Sequence, residues 1–117
     1  MLNKPKYNIL KNTKYALEGL YDILKNESSF KAQLIAFAVL SVLALFLPLG
    51  YTQKSIMIIS LFLPLLGEVI NSAIERVVDL VTLEYNELAK RAKDIGATIV
   101  FLSYFIVTVI WFSVLLY

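Results

Sequence analysis

Apolar residues along this chain gather into three long runs, and each run is bounded by polar residues and turn signals. Ahead of them, residues 6–25 alternate at helical spacing. Tyr7, Leu10, Lys14, Leu17 and Tyr21 mix apolar and polar character, while Ile9, Ala16, Leu20, Ile23 and Leu24 strengthen one face. This pattern predicts an amphipathic helix, lying either at a bilayer interface or against its own protein. The first long run, residues 28–47, is apolar from Ala32 to Leu47 except for Gln33 and Ser41. Ser28 or Ser29 is its expected N-cap, which leaves Glu27 at the membrane surface, and Pro48-Leu49-Gly50 is its stop. A bilayer span needs roughly 20 residues, a length this run reaches only with the Ser28–Gln33 turn included. The second run, 54–81, is almost featureless from Ser55 to Gly67, and Pro64 predicts a kink near Ser60 because proline cannot donate to the carbonyl four residues back. A charged connection, 82–94, leads to an uncharged third run, 95–117, where Trp111 and Tyr117 suit an aromatic belt at the far end.

The expected fold is therefore all-α: an integral membrane protein with three transmembrane helices and an N-terminal surface helix. No repeat, low-complexity segment or linker divides it, so residues 1–117 read as one domain. The polar, lysine-rich start predicts no cleavable signal peptide. Lys4, Lys6, Lys11, Lys14, Lys25 and Lys31 lie before or at the first run, and Lys90, Arg91 and Lys93 lie between the second and third. Only Lys54 lies in the turn between the first two. By the positive-inside rule the N-terminus is inside and the C-terminus outside, as for a bacterial cytoplasmic (inner) membrane protein.

Composition sharpens this picture. The chain is 59% hydrophobic and 17% charged, against about 25% charged for an ordinary soluble domain. A net charge of +2 on so apolar a chain points to a lipid surface rather than nucleic acid. There is no cysteine and no histidine. Thiolate sites, disulfides and imidazole bases are thereby excluded, and acid–base or metal chemistry falls to Asp and Glu, which favour hard ions such as Mg²⁺.

The second half of the second run departs from the apolar rule. With Glu68 as zero and about 100° per residue, Asn71 lies at about −60°, Ser72 at about +40°, Glu75 at about −20° and Asp79 at about +20°. These five residues form one polar face on an otherwise apolar helix. A carboxylate at the centre of a spanning helix costs about 2.5–3.5 kcal/mol, somewhat less near its end, so the face requires compensation. A metal ion, a basic partner or a raised pKa would each supply it. Pairing with Arg76, Lys90 or Lys93 to fix helix packing is the plain structural alternative. Lys93-Asp94 forms a second polar cluster, able to hold a phosphate, although Asp94 also has an ordinary explanation as a helix cap. Carboxylates, a lysine and headgroup depth together suit phosphoryl transfer to a lipid hydroxyl, with neither a Walker A loop nor a protein-kinase signature present.

The segments Glu68-Val-Ile-Asn-Ser-Ala-Ile-Glu75-Arg-Val-Val-Asp79 and Glu84-Tyr-Asn-Glu-Leu-Ala-Lys-Arg-Ala-Lys93-Asp94-Ile-Gly96 closely resemble the prokaryotic diacylglycerol kinases, from about Tyr15 to the C-terminus. That resemblance implies ATP- and Mg²⁺-dependent phosphorylation of diacylglycerol to phosphatidic acid. It implies Glu68 as the base for the lipid hydroxyl, and Glu27 and Glu75 as carboxylates holding Mg²⁺ with ATP. Tyr15, Asn71, Glu84, Lys93 and Asp94 match residues around the nucleotide, and Trp111 matches a tryptophan lining the lipid pocket. A homotrimer with active sites shared between subunits is implied as well. Three positions depart from the family: Gln33 where relatives often carry Glu, Asn86 where His is common, and Asn8 where some have a basic residue. Pro64 is unexpected for this helix. A second branch of the family phosphorylates undecaprenol and tends to place His-Pro where this chain has Glu84-Tyr-Asn-Glu-Leu, which favours diacylglycerol. The competing non-enzyme reading is an oligomeric channel or ion-binding scaffold that uses the acidic face as a cation site.

Overall fold

The computed structural model describes residues 8–117, and five helices account for nearly all of them. Helix α1, Ile9–Asn26, opens on Asn8, whose Oδ1 accepts from the backbone N–H of Leu10 (3.0 Å) and Lys11 (3.1 Å). Asn8 thus does the work of an N-cap. The start of the expected 6–25 helix falls outside the described residues. One extended residue, Glu27, separates α1 from α2, Ser28–Phe46. Its N–H closes α1 onto the Ile23 carbonyl and its carbonyl opens α2. Neither Ser28 nor Ser29 is the cap expected from the sequence. The backbone turns one residue earlier, and the Ser29 hydroxyl is used elsewhere.

After Pro48 and Leu49, Gly50 starts α3, Tyr51–Ser60, three residues ahead of the expected boundary. The Gln53 side chain accepts from the Gly50 N–H (3.0 Å), and the Lys54 ammonium donates to the Leu45 carbonyl at the end of α2 (2.7 Å). Lys54 therefore belongs to the helix and ties two helix ends together. The second run is broken at Leu61, and α4, Phe62–Val81, carries it onward. Pro64 is the cause. It has no N–H for the Ser60 carbonyl and its ring crowds that carbonyl, so the Leu61 N–H tightens onto Ile58 (3.1 Å) instead of continuing the α ladder.

The expected connection 82–94 shrinks to Thr82–Asn86, and α5, Glu87–Leu116, begins well before Ile95. Asn86 Oδ1 accepts from Leu88 N (2.9 Å) and Ala89 N (3.1 Å), and the Glu-Leu-Ala-Lys-Arg-Ala-Lys sequence that follows has high helix propensity. Asp94 consequently lies inside a helix rather than at its cap.

Three of these helical stretches, Ser28–Phe46, Tyr51–Val81 and Glu87–Leu116, are long and apolar enough to cross a membrane. Most large apolar side chains point outward, Ile35, Val39, Phe101 and Phe105 among them, which suits a hydrocarbon surround. What is buried is small. Ile23, Phe30 and Leu65 cluster beneath α1, with Leu24 and Phe37 against them, and Phe37 meets Phe62 edge-on at 4.7 Å. Helices α4 and α5 approach closely through glycines. A Cβ on Gly67 would lie 2.9 Å from Ser103 Oγ, and one on Gly96 would lie 2.5 Å from Asn71 Oδ1.

Candidate active site

Glu68 is the most buried carboxylate of the polar face, at 9% exposure. It is compensated by α2: Ser29 Oγ donates to Oε2 (3.3 Å) and Gln33 Nε2 donates to Oε1 (3.2 Å). Both donors are neutral. A neutral amide next to a buried carboxylate satisfies its lone pairs without cancelling its charge. Gln33, the departure from the family pattern, is thus in direct contact with the residue implied as the base.

One turn on, Asn71 Nδ2 donates to Glu75 Oε1 (3.2 Å) along the same helix, while Asn71 Oδ1 is buried against Gly96 with no donor. Ser72 is buried on the side that faces α1. The structural alternative for Arg76 and Lys93 is realised, though with other partners than Glu68 and Glu75. Arg76 reaches across to Asp22 (2.9 Å) and Glu27 (3.2 Å), fastening α4 to the end of α1 and to the α1–α2 junction. The guanidinium holds Asp22 below the ordinary carboxylate range, helped by the Asn26 amide. Lys93 pairs with Asp79 (2.7 Å), and Lys90 pairs with Asp94 (2.7 Å). Asp79, which the sequence left without a role, is the α4 end of an α4–α5 tie. These pairs are about half exposed, so each contributes little alone.

The sequence-selected residues fall into two groups. Glu84, Lys93 and Asp94 meet in a polar cleft of about 380 Å³ with Tyr85, Asn86 and Lys90. There the Tyr85 hydroxyl donates to Glu87 (2.8 Å), and this bond raises the phenol above its ordinary pKa. Glu68, Asn71 and Glu75 form the other group, and Glu27 meets the same helix at Arg76. Tyr15 sits partly buried on α1. Trp111 does not join an interfacial belt. Its indole N–H points inward to the Met57 carbonyl (3.1 Å) and Ser60 Oγ (3.3 Å), and its ring lines an apolar cavity of about 280 Å³ with Gln33, Phe37, Leu61, Pro64 and Tyr104. Gln33 links that cavity to Glu68.

Among the described residues no three Asp or Glu side chains converge on one point to enclose a metal. Glu27 and Glu75 offer two carboxylates, each with one oxygen bonded to a neighbour. That all-oxygen set suits Mg²⁺, which is usually held by one or two carboxylates and completed by water and phosphate.

The sequence named Ser29 only as a cap and Arg76 only as a partner for the acidic face, and it did not mark the Met57 carbonyl. Arg76 had a signal, as the one cation inside the acidic segment. Ser29 and Met57 had none, since their partners lie on other helices.

A buried carboxylate joined through Gln33 to an apolar cavity, with a polar cleft where the second and third spans connect, suits an integral membrane enzyme acting on lipid. The profile of the prokaryotic diacylglycerol kinases matches residues 14–115, and the chain belongs to that family of lipid kinases. It is 36% identical to a diacylglycerol kinase of Haemophilus influenzae over 94% of this chain and 93% of that protein. It is similarly 36% identical to one of Pseudomonas aeruginosa (92% and 88% covered) and 34% identical to one of Escherichia coli (88% and 84% covered).

Proposed function

We propose that this protein, as a single domain, transfers the γ-phosphoryl group of ATP to the free hydroxyl of diacylglycerol, giving phosphatidic acid and ADP. The observation that carries this reading is Glu68: a buried carboxylate held by two neutral donors, one of which, Gln33, also lines an apolar cavity. A diacylglycerol tail occupies the cavity and its hydroxyl meets Glu68. Glu68 accepts the hydroxyl proton as the oxygen attacks phosphorus, the new O–P bond forms, and the bond to the ADP oxygen breaks. Gln33 and Ser29 fix the carboxylate's orientation. Mg²⁺, when bound, neutralises phosphate charge, and Glu27 and Glu75 are the residues that hold it. Glu27 bonds Arg76 through one oxygen and would hold the metal through its carboxylate. Asn71 orients Glu75. Glu84, Lys93, Asp94 and Tyr15 are assigned to the nucleotide, with Lys93 exchanging Asp79 for phosphate.

The named relatives, all diacylglycerol kinases over most of their length, support this acceptor. Undecaprenol, the other acceptor in the family, is the second reading. The protein resides in the bacterial inner membrane with its N-terminus inside, and it works as a homotrimer whose subunits share active sites. The test is an assay of purified protein with ATP and Mg²⁺, offering diacylglycerol and undecaprenol side by side. Phosphatidic acid formation supports the proposal, and preference for undecaprenol moves the enzyme to the other branch. Cation conductance in bilayers without ATP turnover would return the acidic face to an ion-binding role.

A further inference from the structure

Pro64 stands in the structure with a consequence on the neighbouring helix. By breaking the ladder at Leu61 it diverts the Leu61 N–H from the Met57 carbonyl to Ile58. Met57 is fully buried, so its carbonyl needs another donor. Two side chains supply it: Ser60 Oγ (2.6 Å) and Trp111 Nε1 (3.1 Å), and the indole also reaches Ser60 Oγ (3.3 Å). The indole is thereby fastened by its N–H to the break in the second span, and its ring faces the cavity that Pro64 and Leu61 also line. An unbroken helix would return the Leu61 N–H to the Met57 carbonyl, where it would compete with the indole for that acceptor.

We propose that Pro64 is a positioning residue for Trp111, and that the indole it fixes is the wall that sets which lipid tails the cavity accepts. The proposal rests on reading the cavity as the lipid-tail site, and it adds the device that shapes that site. The cavity is apolar at the Trp111 end and meets the Glu68 carboxylate through Gln33 at the other. A tail entering toward Glu68 therefore runs along the indole. A ring held by a hydrogen bond resists displacement by a bulkier tail, whereas a released ring swings aside and discrimination falls.

Trp111 is the chain's one tryptophan, so its state is read directly in the whole protein in phospholipid bilayers. The variants are Pro64→Ala, Ser60→Ala and Trp111→Phe, each checked for helicity and for the same oligomer as the parent. In Pro64→Ala the ultraviolet resonance Raman band for indole N–H bonding should move to the weakly bonded position. Quenching of its fluorescence by dibrominated phospholipids should rise about twofold, as the ring turns to lipid. Ser60→Ala should produce a smaller change of the same sign. The ratio of kcat/KM between short- and long-tailed diacylglycerols should fall about threefold in Pro64→Ala, mainly through KM. Trp111→Phe should lower it equally, and combining the two should add nothing further. If Pro64→Ala does not fold, Ser60→Ala and Trp111→Phe carry the same comparison. An unmoved Raman band overturns the fastening whether or not the protein phosphorylates lipid. A moved band with unchanged tail preference overturns the wall. Loss of the reading of the protein as a diacylglycerol kinase would appear instead as absent turnover in the parent, with the spectroscopic result standing separately.

Discussion

Each of the three positions at which this chain departs from its family performs an identifiable physical task. Asn8 and Asn86 cap α1 and α5 with their amide oxygens, and Gln33 supplies Glu68 with a neutral donor. Replacing Asn86 with Ala should cost about 1 kcal/mol of stability and Ser should retain most of it, as measured by thermal unfolding in detergent. For Glu68, the Gln variant keeps the side chain's size but cannot take up the hydroxyl proton, so kcat should fall about 10²–10⁴-fold with helicity unchanged. Full turnover in that variant would remove Glu68 from the base role. Changing Gln33 to Leu leaves Ser29 as the carboxylate's one donor from α2, and kcat should drop about tenfold, in keeping with one lost bond to a charged group. The sequence singled out Gln33 as polar in an apolar run. Its partner became visible only when α2 and α4 were placed side by side.

At the scale of elements, helix ends were harder to read than helices. Apolar runs locate spans, but a helix ends where its last orphan backbone groups find partners, and those partners here are Gln53, Lys54 and Asn86. Charged residues 87–94 looked like a connection because they are polar, yet polarity marks where the membrane ends rather than where the helix does. The kink expected from Pro64 is present at Leu61, and the Met57 carbonyl beside it became a point of attachment for α5. Close approach of α4 and α5 sets another requirement. A methyl on Gly96 would stand 2.5 Å from the Asn71 amide oxygen, whose other end orients Glu75. Gly96→Ala should therefore destabilise by about 1–3 kcal/mol and also lower activity. Gly67→Ala meets Ser103 Oγ at 2.9 Å and the Val100 backbone at 3.4 Å, so it should loosen the same helix pair with less effect on Glu75. Thermal denaturation together with ATP turnover distinguishes the two.

Across the whole molecule, α1 is fastened to the spans by Arg76 as well as by the Ile23 cluster. Asp22 titrates below its ordinary value because of Arg76. A depressed carboxylate adds stability above its unfolded pKa and loses it as pH falls through the folded value. Acidification below the ordinary carboxylate range should thus release α1, detected as faster amide exchange over residues 9–26, and Asp22→Asn should show that fast exchange already at neutral pH. Mostly exposed spanning helices leave broad apolar surfaces, which lipid or further copies of the chain would cover. In a trimer with shared sites, mixing Glu68→Gln subunits with Lys93→Ala subunits should restore part of the activity that each lacks alone. No recovery on mixing would place every essential group in one subunit.

By itself the sequence determined that this is a three-span helical membrane protein with one acidic face, and that imidazole and thiol chemistry are ruled out. Both follow from local quantities: the length of apolar runs against the bilayer, the 100° step of a helix, and the absence of His and Cys. The tertiary structure decided who faces whom. It gave Glu68 to Ser29 and Gln33, Arg76 to Asp22 and Glu27, Asp79 to Lys93, and the indole of Trp111 to a carbonyl freed by Pro64. Those pairings depend on distances between helices far apart in the chain, which periodicity along one helix does not encode.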